Sequence, residues 1–133
     1  EEQRNIAESI LRAVGVAIWV DDEAMMDAVT ALSGSGPAYF FLFMDAMQTV
    51  GCELGLPEKT ARLLTLQTAF GAAKMALESS EGVTTLRERV TSPGGTTERA
   101  IKSFQNDHLE ELVRTALKAA AERSRELGIE LGK

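Results

Sequence analysis

The sequence has 133 residues, the size of a single domain. Its 14 Lys+Arg against 20 Asp+Glu give a net charge of −6, which argues against a general nucleic-acid binder, whose affinity comes largely from basic side chains on phosphates. A hydrophobic content of 44% suits a packed core and not a disordered tail, while a lone cysteine, Cys52, and a lone histidine, His108, exclude an internal disulfide framework and a Cys- or His-rich metal centre.

Ile6, Ile10, Leu11 and Val14 fit a helix closed by Gly15. Val16–Val20 then reads as a buried strand, which has no partner strand elsewhere in the sequence. Either the segment is not a strand or its sheet lies in a region outside this sequence, and the second reading is favoured. Asp21, Asp22 and Glu23 read as a helix N-terminus complementing its dipole; one of them facing a ligand is the alternative. Ala24 to Leu32 reads as a helix.

The next segment, Ser33-Gly34-Ser35-Gly36-Pro37-Ala38-Tyr39, begins like a dinucleotide fingerprint. Tyr39 stands where the third glycine belongs, and no strand precedes it, so the fingerprint fails. A tight helix–helix turn is one reading; backbone amides shaping a pocket is the other. Ala38–Met44 with Ala46, Met47 and Val50 predicts a helix buried on most sides, opened by Pro37 and closed by Gly55. Its apolar run falls short of a membrane span.

A long helix is predicted from Glu58 to Leu77. Leu63, Leu66, Phe70, Ala73 and Leu77 form one face; Gly71 and Met75, beside Ala69, Ala72 and Ala76, form a second. A helix apolar on two faces is central or pinned between subunits. Cys52 is expected in the core, His108 exposed, and Lys74 snorkelling from the apolar helix. A short helix at Leu86–Val90 carries a capping-box pattern, Thr85 with Glu88. A helix from Thr97 to Phe104 and a last one ending at Gly128 follow, the latter opened by a second box, Asp107 with Glu110.

Between the short helix and the next lies Thr91-Ser92-Pro93-Gly94-Gly95-Thr96-Thr97. Two glycines allow unusual backbone angles and close approach of a ligand. The helix that follows directs free N–H groups and the positive end of its dipole at the loop. With the hydroxyls of Ser92, Thr96 and Thr97, this suits a carboxylate or a phosphate. The competing reading is Thr96 as an ordinary N-cap serving its own helix. The P-loop spacing is absent.

These motifs, taken together, carry a resemblance. Asp27 through Tyr39 resembles the segment opening the C-terminal domain of pyrroline-5-carboxylate reductases. Gly71-Ala72-Ala73-Lys74-Met75 is similar to that family's central helix, and Leu86 through Thr97 to its substrate loop. The resemblance implies an enzyme that reduces 1-pyrroline-5-carboxylate to L-proline with NADPH or NADH, the last step of proline biosynthesis. It implies an all-α fold, a helical dimerisation domain with interlocking long helices over 21–133. Residues 1–20 would be the last helix and strand of an N-terminal dinucleotide-binding domain absent from this sequence. It further implies a homodimer, with dimers often assembling into decamers, in the cytoplasm, where the absence of a visible leader also points. No nucleic-acid or membrane partner is expected.

Roles follow residue by residue from the resemblance. Thr97 corresponds to the threonine whose hydroxyl contacts the ring nitrogen of the imine. The backbone amides of Gly95 and Thr96 correspond to those holding the substrate carboxylate. Ser92 and Gly94 shape the loop, and Glu23 corresponds to an acidic residue near bound proline. Arg89 stands where relatives often carry Asn or Gln near the cofactor. Two rivals remain: a stand-alone helical dimerisation module without catalysis, and a small-anion binding module built on Gly94-Gly95.

Overall fold

A computed structural model describes residues 2 to 132. The elements in order are α1 (Glu2–Arg12), α2 (Met25–Val29), a π-helical turn (Thr30–Gly34), α3 (Gly36–Glu53), α4 (Glu58–Glu78), α5 (Val83–Arg89), α6 (Thr96–Asn106) and α7 (Leu109–Leu131). The all-α class is as the sequence predicts, and among the described residues there is no strand.

Val16–Val20 forms no strand among the described residues, and the sheet expected of it would lie outside this sequence. A strand exists only through a ladder partner, and the chain supplies none. The segment instead lies back on α1. Trp19 Nε1 donates to Glu8 Oε2 at 2.9 Å, and the Arg4 guanidinium stacks 4.4 Å from the Trp19 ring centroid.

The acidic run before α2 acts as predicted at a helix start: Asp22 Oδ1 accepts the Ala24 N–H at 2.9 Å. The predicted helix Ala24–Leu32 divides into α2 and the π turn, where Ser35 N–H reaches Thr30 O at 2.8 Å. Pro37 sits in the first turn of α3, where its missing N–H costs nothing. At the other end Gly55 adopts φ +100°, Leu56 N–H reaches back to Gly51 O at 3.1 Å, and the helix stops in a Schellman-type cap. Pro57 O then accepts the N–H groups of Thr60 and Ala61, starting α4.

Both predicted capping boxes fail. α5 begins earlier, at Val83, after Gly82, so Thr85 lies inside the helix. α7 starts after His108, whose left-handed φ of 56° ends α6 and redirects the chain; Asp107 is left outside, without a side-chain cap. α7 also runs past Gly128 to Leu131. An interior glycine costs only about 1 kcal/mol relative to alanine. Arg123, paired with Glu126 at 2.7 Å and Glu130 at 3.0 Å, ties the turns together on either side of it.

α3 packs antiparallel-hairpin fashion on α4, α2 and the π turn pack on α7, and α6 packs on α7. The α3–α4 contact is narrow: a methyl on Gly51 would touch Ala61 Cβ at 3.4 Å, and Ala61 and Thr65 are buried. Phe43 and Phe104, with ring centroids 6.1 Å apart, bring α3 to α6. Ser124 Oγ donates to Asp27 Oδ1 at 2.7 Å, linking α7 to α2. A net hydrogen bond contributes about 0.5–1.5 kcal/mol, so Ser124→Ala is expected to lower unfolding free energy by about 1 kcal/mol in denaturant titration. No change would show that this bond contributes nothing.

The chain leaves most of its apolar surface uncovered. Phe41 is 66% exposed, Phe70 63% and Leu77 86%. Cys52, expected in the core, is also exposed; its helix face is covered by nothing in the chain itself. The total accessible surface is 11224 Å², whereas a compact monomer of 14.4 kDa exposes about 6,800 Å². The excess, about 4,400 Å², is several times the roughly 800 Å² that one partner contributes to an ordinary interface.

Among the described residues, no helix is long and apolar enough to cross a membrane.

Candidate functional site

The Gly-rich turn between α5 and α6 divides its backbone donors into two groups. Gly94 holds φ +73°, a conformation that disfavours any side chain. Its N–H donates to Glu98 Oε2 at 2.8 Å. The Gly95 N–H is likewise engaged, by Ser92 O at 3.0 Å. A methyl on Gly95 would approach that same carbonyl oxygen to 3.0 Å, so the turn closes this tightly only around glycine.

α6 starts directly afterwards, with Gly95 as its N-cap. Glycine has no side chain to offer, so Thr96 is the first helical residue and does not cap the helix. The first α6 amide bonded within the chain is Arg99 N–H, to Gly95 O at 3.2 Å. Among the described residues, the N–H groups of Thr96, Thr97 and Glu98 have no acceptor. A concavity of about 540 Å³ lies beside the turn, lined by Gly94, Gly95, Thr96, Arg99, Ala100 and Ser103. The Thr97 hydroxyl makes no hydrogen bond within the chain, unlike that of Thr91, which donates to Arg87 O at 2.6 Å.

Ser92, Gly94, Gly95, Thr96 and Thr97 are thus brought into one turn. The open donors begin one residue later than expected, at Thr96, because the turn itself uses the Gly95 amide. Glu23 is not joined to this turn: no hydrogen bond or ion pair links the two, and the Glu23 carbonyl accepts Met26 N–H at 2.9 Å. Arg89, at the end of α5, pairs with Glu81 at 2.5 Å. Lys74 pairs with Glu78 along α4.

Sequence reasoning missed Glu98. Its carboxylate takes Lys102 Nζ at 2.9 Å on one oxygen and the Gly94 amide on the other. The Lys102 hydrogen bond first, then the Gly94 N–H, hold its carboxyl below the usual range, so it is an anion and acceptor at neutral pH. The available signal was an acidic residue at the third helical position after a glycine break.

The Gly34-Gly36 segment does not form a dinucleotide cradle. A π-helical turn precedes it where a strand is needed, and Gly36 is buried. This segment therefore does not fit a nicotinamide dinucleotide.

A helical domain that leaves the apolar faces of its long helices uncovered has the character of a subunit-pairing domain. The comparisons with known proteins agree. Residues 23–127 match the family described as pyrroline-5-carboxylate reductase dimerisation. A pyrroline-5-carboxylate reductase from Pseudomonas aeruginosa is 62% identical over 126 residues, covering 95% of this chain and 46% of that protein. A solved pyrroline-5-carboxylate reductase from Coxiella burnetii superposes with a TM-score of 0.92 at 55% identity, over 96% of this chain and 47% of that one. A Plasmodium falciparum pyrroline carboxylate reductase, solved with NADP bound, gives 0.87 at 31% identity, over 96% and 48%. The chain belongs to the pyrroline-5-carboxylate reductase family, and it spans about half the length of the curated relatives it matches.

Proposed function

We propose that this chain is the C-terminal half of a reductase that converts 1-pyrroline-5-carboxylate to L-proline, and that it supplies the substrate loop and the dimer interface. Residues 21–133 are then the helical domain. Residues 1–20 are the last helix and would-be strand of a dinucleotide-binding domain, which accounts for an extended segment with no ladder partner. The observation that carries the reading is the turn at 92–97, which presents open amides and a free threonine hydroxyl in a chain of this family.

The chemistry follows from the donors. A carboxylate sits well at a helix N-terminus without a cation, because the amides and the dipole supply the positive field. The open N–H groups of Thr96, Thr97 and Glu98 give it partners. Reduction of C=N adds hydride to carbon and builds electron density on nitrogen, which takes a proton. A positioned Thr97 hydroxyl serves that nitrogen as hydrogen-bond partner. NADPH or NADH supplies the hydride and is held by the other half of the reductase. Glu23 is assigned to the vicinity of bound proline, and Arg89 to no more than a peripheral place near the cofactor, since Glu81 already engages it. The uncovered faces of α3 and α4 are filled by a second copy, so the enzyme is a homodimer. We place it in the cytoplasm, where a lone unpaired cysteine such as Cys52 remains reduced.

The full-length parent is expected to oxidise NADPH on addition of pyrroline-5-carboxylate, and the 133-residue chain alone to be silent. Turnover by the chain alone would refute the division of labour. An inactive parent that still binds inorganic phosphate in preference to L-proline would favour the anion-binding module.

A further inference from the structure

The open donors of the loop keep their positions only if the turn itself is held in shape. Gly94 is free to leave its φ of +73°, since glycine populates both hands of the backbone about equally. Pro93 restricts only the preceding half of the turn. The turn has one internal backbone bond, Gly95 N–H to Ser92 O at 3.0 Å. The remaining tie is the Glu98 carboxylate, which reaches back over one helical turn to the Gly94 N–H at 2.8 Å.

Glu98 is well placed for this. It stands in the first turn of α6, where a negative charge complements the dipole. It is half-buried, unlike the threonines before it. Lys102, one turn further on, fixes its other oxygen at 2.9 Å, which limits the rotamers open to the carboxylate. Its bond to the amide has an ionised acceptor, the stronger class of hydrogen bond.

We propose that Glu98 is a positioning residue of the substrate loop: by clamping the Gly94 amide it holds the turn shape in which the Thr96, Thr97 and Glu98 amides converge on a substrate carboxylate. The inference rests on the proposed function of the loop. Glu98 touches no reacting atom in this scheme. Its carboxylate keeps the Gly94 amide occupied and leaves those of Thr96, Thr97 and Glu98 free.

The test uses the full-length reductase. Loss of the clamp weakens binding of a carboxylate that is held equally in ground and transition states, so KM rises and kcat does not. Glu98→Ala is expected to raise KM for pyrroline-5-carboxylate about tenfold, with kcat within about twofold of wild type. Glu98→Gln keeps an oxygen for the Gly94 amide and loses an exposed ion pair of small worth. It is expected to bring KM back to within about twofold of wild type. A KM unchanged in Glu98→Ala overturns the proposal, as does a fall in kcat without a rise in KM. So does a Gln variant as impaired as the Ala variant, whether or not the Ala variant is soluble. An inactive wild type would instead overturn the proposed function of the loop.

Discussion

Thr97→Ala in the full-length reductase is expected to lower kcat for NADPH-dependent reduction of pyrroline-5-carboxylate by about 10²-fold, the size of a positioned proton or hydrogen-bond partner. Thr97 lies in the first turn of α6, exposed, with its hydroxyl unengaged by the chain. Its removal leaves no buried donor or acceptor unpaired, and alanine is the better helix former. Lost activity is therefore not lost folding, which a thermal melt will verify. Thr97→Ser keeps the hydroxyl and is expected to recover to within about tenfold of the wild-type rate. The contrast with Glu98 is useful: one substitution acts on kcat and the other on KM, although the two residues are adjacent. Full activity in Thr97→Ala would leave the family intact and remove this residue from the chemistry.

The helices were legible in the sequence where periodicity and chain-breaking residues agreed. Pro37 and Gly55 bound α3 within a residue of where they imply, and α4 runs Glu58–Glu78 against an expected Glu58–Leu77. Local signals misled where one motif fits two backbones. Thr85 with Glu88 and Asp107 with Glu110 both have capping-box spacing, yet the breaks are made by Gly82 and by a left-handed His108. Spacing records which side chains reach which amides only after the backbone has turned. At Val16–Val20 the β-branched run reads as a strand whose sheet lies outside this sequence, and pairing is a property of the partner. Cys52 failed for a related reason. Its apolar surroundings in sequence imply burial, but the covering surface is not in the chain.

The candidate site was legible in part. The run 92–97 stood out because glycines, hydroxyls and a helix start coincide there, and the structure gathers those residues into one turn. Glu98 did not stand out, since an acidic residue in a first helical turn ordinarily needs no further explanation than the dipole. Its reach back to Gly94 depends on the positive φ of that glycine, which composition does not encode.

Gly71→Leu is expected to weaken dimerisation of the full-length protein by roughly 1–3 kcal/mol, the cost of overpacking a fitted contact, or about 5- to 150-fold in dissociation constant. A Cβ on Gly71 meets nothing within 4 Å, so the first atom of a new side chain has room in its own chain. Within α4 the substitution is favourable, because leucine exceeds glycine in helix propensity by something under 1 kcal/mol. The two effects have opposite signs and separate in measurement: circular dichroism holds or gains helical signal while sedimentation shifts toward monomer. Retention of the wild-type dissociation constant would mean that the second copy covers the Leu63–Leu77 face and not the Gly71 face. A wild type already monomeric at micromolar concentration would remove the dimer itself, and with it the explanation for Phe41, Phe70 and Leu77 standing in solvent.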